Sequence, residues 1–228
     1  MAKLIFKANK KQKEAFRLLF DDIHTEIGYG WWAGWWKSYM WVAWCWMMCS
    51  KYPGTRYAFW RQELKRLKQT TLESYFKFLS DYEIPKQQQG LYNWQDSVIK
   101  FANGSQILLI DLAYLPSDPL YTRLGSLELT GAFVDEAAEV DDKCITILST
   151  RVWRQLNKKF NLPPKILLTF NPDKGHVYRN YYLPYKNGTL PEYRAFVPAL
   201  ATDNEFIPET YIEQLERSDE VTKQRLLY

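Results

Sequence analysis

The sequence is poor in cysteine and histidine and has no leader-like apolar segment at its start. Its three cysteines, Cys45, Cys49 and Cys144, lack the spacing of metal ligands, and an odd number fits a reducing compartment better than a disulfide framework. His24 and His176 show no metal-binding partner in the pattern. No apolar region follows the N-terminal lysines, so the sequence predicts no secretory signal. These absences argue against a disulfide-stabilised secreted protein.

The aromatic segment 27–49 is long enough to resemble a membrane span. Lys37 lies in its middle, where a charge is costly, and Gly28, Gly30 and Gly34 interrupt its first half. We therefore expect no membrane-spanning helix.

Length and composition predict one globular domain over residues 1–228. The chain has 228 residues, no low-complexity run and no internal repeat. A formal net charge of +4 permits a polyanionic partner but is far below that of a dedicated nucleic-acid-binding protein.

Hydrophobic patterns predict an α/β fold with a mainly parallel sheet, because apolar strands alternate with helices. The predicted strands cover residues 55–60, two runs joined by Asn103-Gly104, the run "TGAFV", "KILLTFNP" and "EYRAFVPA". The predicted helices cover residues 10–27, 37–50, 63–79, 144–156 and 208–218. The helix over 144–156 would hold Arg151 and Arg154 beside Trp153, either facing solvent or touching DNA or a neighbouring subunit.

Two polar pairs stand where such a sheet binds ligands, at the carboxyl ends of its strands. Lys37-Ser38 begins a helix, as in a phosphate-binding loop whose lysine neutralises phosphates and whose hydroxyl holds Mg²⁺. Asp135-Glu136 follows an apolar strand, where an aspartate can orient Mg²⁺ and a glutamate can polarise the attacking water. Alternatively, the two acids cap the next helix.

A third polar group ends the strand "LLTFNP". Thr169 and Asn171 are small polar residues, and Pro172 stops the strand. Such side chains can sense a γ-phosphate and link it to movement, although the same letters also mark an ordinary turn.

The order of these motifs resembles the ATPase domain of the large terminase subunit of tailed bacteriophages, over nearly the whole chain. The matching segments are "FKANKKQKEAF", Lys37-Ser38, "FVDEA", "LLTFNP" and "TDNEFIPETYIEQL". The resemblance implies a P-loop NTPase fold of the RecA/ASCE-like kind, with ATP and Mg²⁺ as cofactors. It also implies a motor that moves double-stranded DNA into the procapsid.

Residue roles follow from the same resemblance. Asn9 and Gln12 would recognise adenine, Gly34 and Lys37 would bind phosphate, Ser38 and Asp135 would hold Mg²⁺, and Glu136 would activate water, while Thr169 and Asn171 would couple hydrolysis to motion. Arg61 and Arg123 are candidate γ-phosphate arginines, in cis or across a subunit boundary, with surface ion pairs as the alternative.

The resemblance further implies partners and a location. The partners are the portal protein, the small terminase subunit and other copies of the chain in a ring, in the host bacterial cytoplasm at the procapsid portal. We expect the family's C-terminal nuclease domain to be absent from residues 1–228. A helicase-like ATPase and a non-catalytic DNA- or partner-binding scaffold on the same fold are the alternative functions.

Tryptophan replaces the glycines that a phosphate-binding loop requires. The pattern G-x-x-x-x-G-K-[ST], counted back from Lys37, puts Trp31 and Trp36 at its glycine positions. Such a loop wraps phosphate with backbone N–H groups, and a left-handed conformation costs a residue other than glycine about 1–2 kcal/mol. We therefore predict that this chain hydrolyses ATP poorly or not at all.

Three interpretations of this segment remain. The tryptophans stand for glycines through engineering or a sequence-assignment error, they are natural in a non-hydrolysing relative, or they form an aromatic interaction surface. We favour the first, because the surrounding motifs are intact and decay would not convert so selectively to one residue type. Trp32, Trp35 and Trp41 are further positions where glycine would be expected.

Overall fold

The computed structural model describes residues 8–30, 36–171, 174–199, 203, 209–220 and 223, and these residues form the predicted α/β fold. In chain order the strands are β1 (Glu26–Gly30), β2 (Arg56–Arg61), β3 (Leu91–Asn93), β4 (Val98–Lys100), β5 (Gln106–Asp111), β6 (Gly131–Val134), β7 (Lys165–Phe170) and β8 (Arg194–Pro198). They make one sheet in the order β3-β4-β5-β2-β6-β7-β1-β8. Neighbouring strands are parallel from β5 through β2, β6, β7 and β1 to β8. At the other end of the sheet, β3 pairs antiparallel with β4, and β4 pairs antiparallel with β5.

Helices cover both faces of this sheet. They are α1 (Lys10–Leu18), α2 (Trp36–Lys51), α3 (Leu64–Leu67), α4 (Glu73–Asp81), α5 (Asp142–Ser149), α6 (Asn157–Phe160), α7 (Leu183–Lys186) and α8 (Glu209–Glu216). A π-turn, Lys68–Leu72, joins α3 to α4, and a second, Tyr178–Tyr182, precedes α7. In the described part of the chain, no helix is both long and apolar enough to cross a membrane.

The sheet is buried on both faces, as expected of parallel strands covered by helices. Phe133 of β6 packs with α2, whereas its neighbours Ala132 and Val134 pack with α5 on the other face. All six residues of β7 are buried. The continuous apolar runs that predicted these strands therefore arise from two-sided burial, and the predictions for β2, β6, β7 and β8 are confirmed.

The prediction of a helix over 10–27 is wrong in its second half. Helix α1 ends at Leu18, and residues 26–30 form β1 between β7 and β8. The Nζ atom of buried Lys165 donates to the carbonyl oxygens of Leu18 (2.8 Å), Asp21 (2.6 Å) and His24 (2.5 Å), which stabilises the turn that ends the helix. In β1, a Cβ at Gly28 would lie 2.8 Å from the Tyr181 ring, so close packing requires a glycine there.

The prediction of a helix over 144–156 is wrong beyond Ser149. There the chain turns and Val152 forms a parallel bridge with Leu129, and Trp153 and Leu156 adopt positive φ angles of 98° and 63°. These conformations are incompatible with a right-handed helix. Arg151 consequently lies in a turn and Arg154 in the irregular backbone that follows it.

Candidate functional site

Three of the predicted motifs meet at a single carboxylate. Asp135 directly follows β6 and is 3% exposed. Thr169, on β7, donates from Oγ1 to Asp135 Oδ1 at 2.8 Å, and Ser38, in the first turns of α2, places its Oγ 3.4 Å from both carboxylate oxygens. The carboxyl ends of parallel strands thus bring together residues that are 97 positions apart in the chain.

A fourth residue that the sequence did not reveal completes this cluster. Thr71 is fully buried, and its Oγ1 donates to Asp135 Oδ2 at 2.8 Å. It lies in the π-turn between α3 and α4, a feature that often accompanies functional sites. The available signal was the adjacent threonine pair in an otherwise helical segment. Asp135 is therefore held by hydroxyl groups on both oxygens.

Glu136 has an unusual backbone conformation. Its φ and ψ angles are 50° and 54°, in the left-handed region, where non-glycine residues are uncommon. The Glu136 N–H donates to Thr169 Oγ1 at 3.3 Å, and the next carbonyl, that of Ala137, lies 3.0 Å from His176 Nε2. Contacts from two other segments therefore fix the backbone on both sides of this residue.

Arg61 lies beside Asp135. Its side chain is 11% exposed, and Nη1 lies 3.7 Å from Asp135 Oδ2 and donates to Thr70 Oγ1 at 3.1 Å. The Nε atom is buried, and its separation of 3.6 Å from Glu139 Oε2 is too long for a hydrogen bond. The Arg61 guanidinium thus lies between two carboxylates, those of Asp135 and Glu139, and its buried Nε has no hydrogen-bond partner among the described residues.

Arg123 belongs to a separate network farther along the same edge. It donates from Nη1 to Asp118 at 3.1 Å and from Nη2 to the Ala113 carbonyl at 2.6 Å, and it lies 4.0 Å from Asp111. Asp111 is opposite Arg61 in the pairing of β5 with β2. Arg61 thus ends β2, whereas Arg123 lies in the 3₁₀ turn Thr122–Leu124, near the end of neighbouring β5. Of the two, only Arg61 contacts Asp135 in the described part of the chain.

Asn9 and Gln12 cap the start of α1. Asn9 Oδ1 accepts from the Gln12 N–H at 2.8 Å, and Gln12 Oε1 accepts from the Asn9 N–H at 3.0 Å. Gln12 is 1% exposed. This capping box explains why these residue types begin the helix, and it occupies the Gln12 carbonyl oxygen.

Some predicted positions fall outside the described residues, namely Trp31, Trp32, Gly34, Trp35 and Pro172. Lys37 belongs to the first turn of α2, and the described part does not include its side chain. Asn171 directly follows β7 and is half-buried.

The described tryptophans of α2 lie in the core. Trp41, Trp44 and Trp46 are 0%, 1% and 8% exposed, and Trp41 packs edge-on against Tyr29 at 5.4 Å. Trp46 donates to the Gln88 carbonyl at 2.8 Å, whereas the Nε1 atoms of Trp41 and Trp44 have no hydrogen-bond partner among the described residues. These three side chains therefore contribute nothing to an exposed aromatic surface.

The protein offers few metal ligands at this site. Among the described residues, no group of three or more histidine, cysteine or acidic side chains could hold a metal ion. The metal-coordinating groups available at the site are the Ser38 hydroxyl and the Asp135 carboxylate. Such a small set of oxygen ligands suits a hard cation such as Mg²⁺, which completes its coordination with water and with oxygens of a bound ligand.

These features place the chain in the fold class of the P-loop NTPases. A helix with Lys37-Ser38 follows β1, and the carboxylate strand β6 lies beside β7 in a mainly parallel sheet flanked by helices.

Solved structures with a similar fold include the large terminases of several bacteriophages. The chain is similar to the large terminase of a thermophilic bacteriophage, with a TM-score of 0.72 and 15% identity, covering 96% of this chain and 52% of that one. The same terminase has been solved in complex with ADP, with a TM-score of 0.72, and with ATP-γ-S, with a TM-score of 0.67. The ATPase domain of the Thermus phage P74-26 large terminase has a TM-score of 0.64 and 11% identity, with 96% and 92% coverage. The bacteriophage HK97 large terminase has a TM-score of 0.61 and 10% identity, covering 98% of this chain and 47% of that one.

At these identities the similarity establishes the fold, and the chain spans about half the length of the first of these terminases. No protein-family profile and no curated protein matches the sequence. The resemblance inferred from the motifs is thus confirmed by fold.

Proposed function

We propose that this chain is the ATPase domain of a large-terminase motor, which uses ATP to move double-stranded DNA into a procapsid. The observation that carries the proposal is the meeting of Ser38, Asp135 and Thr169 at one carboxylate. The same three positions carry the phosphate-binding, Walker B and coupling motifs of the sequence. The similarity to terminase folds supports the choice of motor.

Residues at this edge divide the work of binding nucleotide and metal. Ser38 and Asp135 would hold Mg²⁺, which when bound neutralises phosphate charge. Thr71 and Thr169 hold the Asp135 carboxylate in place through hydrogen bonds of 2.8 Å each. Lys37 and Gly34 would contact the phosphates, and Asn9 and Gln12 would lie towards the base.

Other residues act on the water and on the γ-phosphate. Glu136, directly after Asp135, would orient the attacking water and accept its proton. Arg61 would stabilise charge on the γ-phosphate, supported by its position 3.7 Å from Asp135, and Arg123 is the second candidate, in cis or across a subunit boundary. Thr169 contacts both Asp135 and the Glu136 backbone, so it and Asn171 would transmit the state of the site to β7.

The tryptophans of the loop limit this activity. Trp31 and Trp36 occupy positions where phosphate binding needs glycine, so the chain as written hydrolyses ATP poorly or not at all. The portal protein, the small terminase subunit and other copies of the chain are the proposed partners, in the host cytoplasm at the procapsid portal.

Binding of Mg-ATP to two versions of the chain tests the proposal. The first version has the unaltered sequence, and the second carries Trp31→Gly, Trp32→Gly, Trp35→Gly and Trp36→Gly. Trp41 is left in place because it is fully buried in the core. We expect binding only by the glycine version; binding by neither would contradict the proposal and favour the non-catalytic scaffold.

Turnover of the glycine version tests the role of Glu136. Glu136→Ala is expected to abolish ATP hydrolysis while sparing nucleotide binding, because the residue acts on the water. The exposed substitution Glu83→Ala serves as a control for loss of one acid. Unchanged turnover in Glu136→Ala would remove Glu136 from the mechanism.

A further inference from the structure

The end of the sheet opposite the candidate nucleotide site, at the amino ends of its parallel strands, carries exposed positive charges that form no ion pairs in the described part of the chain. Lys51, Arg154, Lys158 and Lys159 are all exposed, and within the described residues none of them forms an ion pair. Some exposed lysines elsewhere are paired, such as Lys77, which lies 2.9 Å from an Asp81 carboxylate oxygen, whereas others, such as Lys86 and Lys186, form no ion pair among the described residues. Lys51, Arg154, Lys158 and Lys159 are distinguished by lying together at one end of the sheet. The four side chains are called the basic surface below.

Ring contacts bring two of these cations together. The Lys51 ammonium lies 5.0 Å from the centre of the Tyr52 ring, and the Lys159 ammonium lies 5.2 Å from the centre of the Phe160 ring. The two rings contact each other with their centres 5.3 Å apart. Two ammonium groups therefore flank one pair of half-buried rings, which limits the motion of otherwise flexible side chains.

Backbone contacts bring the other two to the same edge. Gln155 Nε2 donates to the Gly54 carbonyl at 3.1 Å, which ties the segment after Arg154 to the turn after α2. The Arg154 N–H lies 3.1 Å from the carbonyl oxygen of Leu129, just before β6 begins. Lys158 adjoins Lys159 in α6. All four cations thus surround the amino ends of β2 and β6.

The surrounding sequence adds no acid within residues 143–172. Of the six lysine and arginine residues in that range, Arg154, Lys158 and Lys159 belong to the basic surface, whereas Lys165 is buried and paired with Asp21. Glu128, next to Leu129, and Asp22, which lines one cavity with Tyr52 and Asn161, are exposed acids nearby, and in the described part neither pairs with any of the four cations. The field above this edge is therefore positive over several cations, which attracts a polyanion.

We propose that the basic surface binds the phosphate backbone of duplex DNA without reading its sequence. Spaced, exposed cations suit phosphates, and the Tyr52 and Phe160 rings lie half-buried under the ammonium groups, while Trp153 beside Arg154 is 61% exposed. The choice of duplex DNA rests on the proposed function, but the location rests on these contacts alone. Lys51 ends α2, and Ser38 lies in the first turn of that helix, so the surface lies about 20 Å from the nucleotide edge at 1.5 Å per residue.

Equilibrium binding of a fluorescein-labelled, random-sequence 30-base-pair duplex tests the inference, by anisotropy and at several salt concentrations. The full chain is measured without nucleotide or Mg²⁺, so a failed nucleotide site does not affect the outcome. The site variant carries Lys51→Gln, Arg154→Gln, Lys158→Gln and Lys159→Gln. A matched control carries Lys77→Gln, Lys86→Gln, Lys100→Gln and Lys186→Gln, four exposed lysines elsewhere.

We expect the site variant to lose at least tenfold in affinity at moderate salt, and the control less than threefold. The slope of log K against log salt should become shallower by about 3 to 4 in the site variant, at about 0.9 per lost phosphate contact. Equal losses in both variants would reduce the effect to net charge and overturn the inference. It would also be overturned if the unaltered chain failed to bind duplex at low salt, or if it bound fluorescein-labelled polyglutamate instead. Circular dichroism of both variants confirms that each is folded.

Discussion

The two sides of the candidate nucleotide edge differ in how well their side chains suit their surroundings. On the side of β6 and β7, Asp135 accepts hydrogen bonds from Thr71 and Thr169 at 2.8 Å each. On the side of α2, Trp41 and Trp44 fill the core but leave their Nε1 donors without partners in the described part. An unsatisfied buried donor costs about 1–3 kcal/mol. The Asp135 carboxylate thus has hydrogen-bond partners on both oxygens, whereas Trp41 and Trp44 contribute only apolar packing.

Trp41→Gly should have the largest effect on the free energy of unfolding, because it removes a fully buried indole. We expect a loss of about 3–5 kcal/mol, the range for emptying such a site, measured by urea denaturation. Trp41→Phe is the control and should lose far less. If Trp41→Gly were neutral, the packing of α2 against Tyr29 would be refuted and glycine would be the better residue at this position.

Thr71→Val tests the satisfied side. It keeps the shape but removes a hydrogen bond to a buried carboxylate, so we expect a loss of about 1.5–3 kcal/mol in urea denaturation. In the glycine version of the loop it should also weaken Mg-ATP binding. Thr71→Ser retains the hydroxyl and should restore most of both; failure of that rescue would assign Thr71 a packing role only.

Trp153→Gly should stabilise the protein by about 1 kcal/mol. Trp153 has a φ of 98° and is 61% exposed, so glycine relieves strain of about 1–2 kcal/mol and loses little burial, although it adds about 0.5–1 kcal/mol of freedom in the unfolded chain. Trp94 is similarly exposed, at 67%, but lies outside the positive-φ residues, so Trp94→Gly should give no gain. A higher melting temperature for Trp153→Gly alone would extend the glycine interpretation beyond the loop.

The last prediction concerns the pH dependence of stability at the turn after α1, where the charges are satisfied. Burial raises the pKa of Asp21, but hydrogen bonds from His24 and Lys165 outweigh it and lower the pKa to about 2. Because the pKa is lower when folded, this stabilisation is present above about pH 4 and is lost as the pH falls towards 2. Asp21→Asn should flatten the stability profile in that window, whereas Asp22→Asn, at an exposed neighbour, should preserve it.

The sequence predicted those parts of the fold in which local pattern and burial agree. Strands such as β6 and β7 are continuous apolar runs, and the polar residues that follow them meet as expected. Strand β1 was missed because "EIGYG" is short and glycine-rich, and its pairing with β7 and β8 is a tertiary effect. The turn at 150–156 was missed because its apolar spacing is helical while its backbone is not.

The site divides in the same way. Ser38, Asp135 and Thr169 were predicted because each ends or begins an element whose pattern is clear. Thr71 was not, because its direction depends on one π-turn within a helix, and residue spacing does not reveal such a turn. His176 likewise reaches Ala137 only through the path of the chain after β7.

Helix α2 has a mechanical consequence. Its 16 residues form a rod of about 24 Å that begins beside the Asp135 cluster and ends at Lys51 in the basic surface. If its first turn were held and the rod tilted by about 10°, its far end would travel about 4 Å over that length. A small rearrangement around a phosphate at one end of α2 would therefore be transmitted by the helix to its other end, and move the surface proposed to contact DNA.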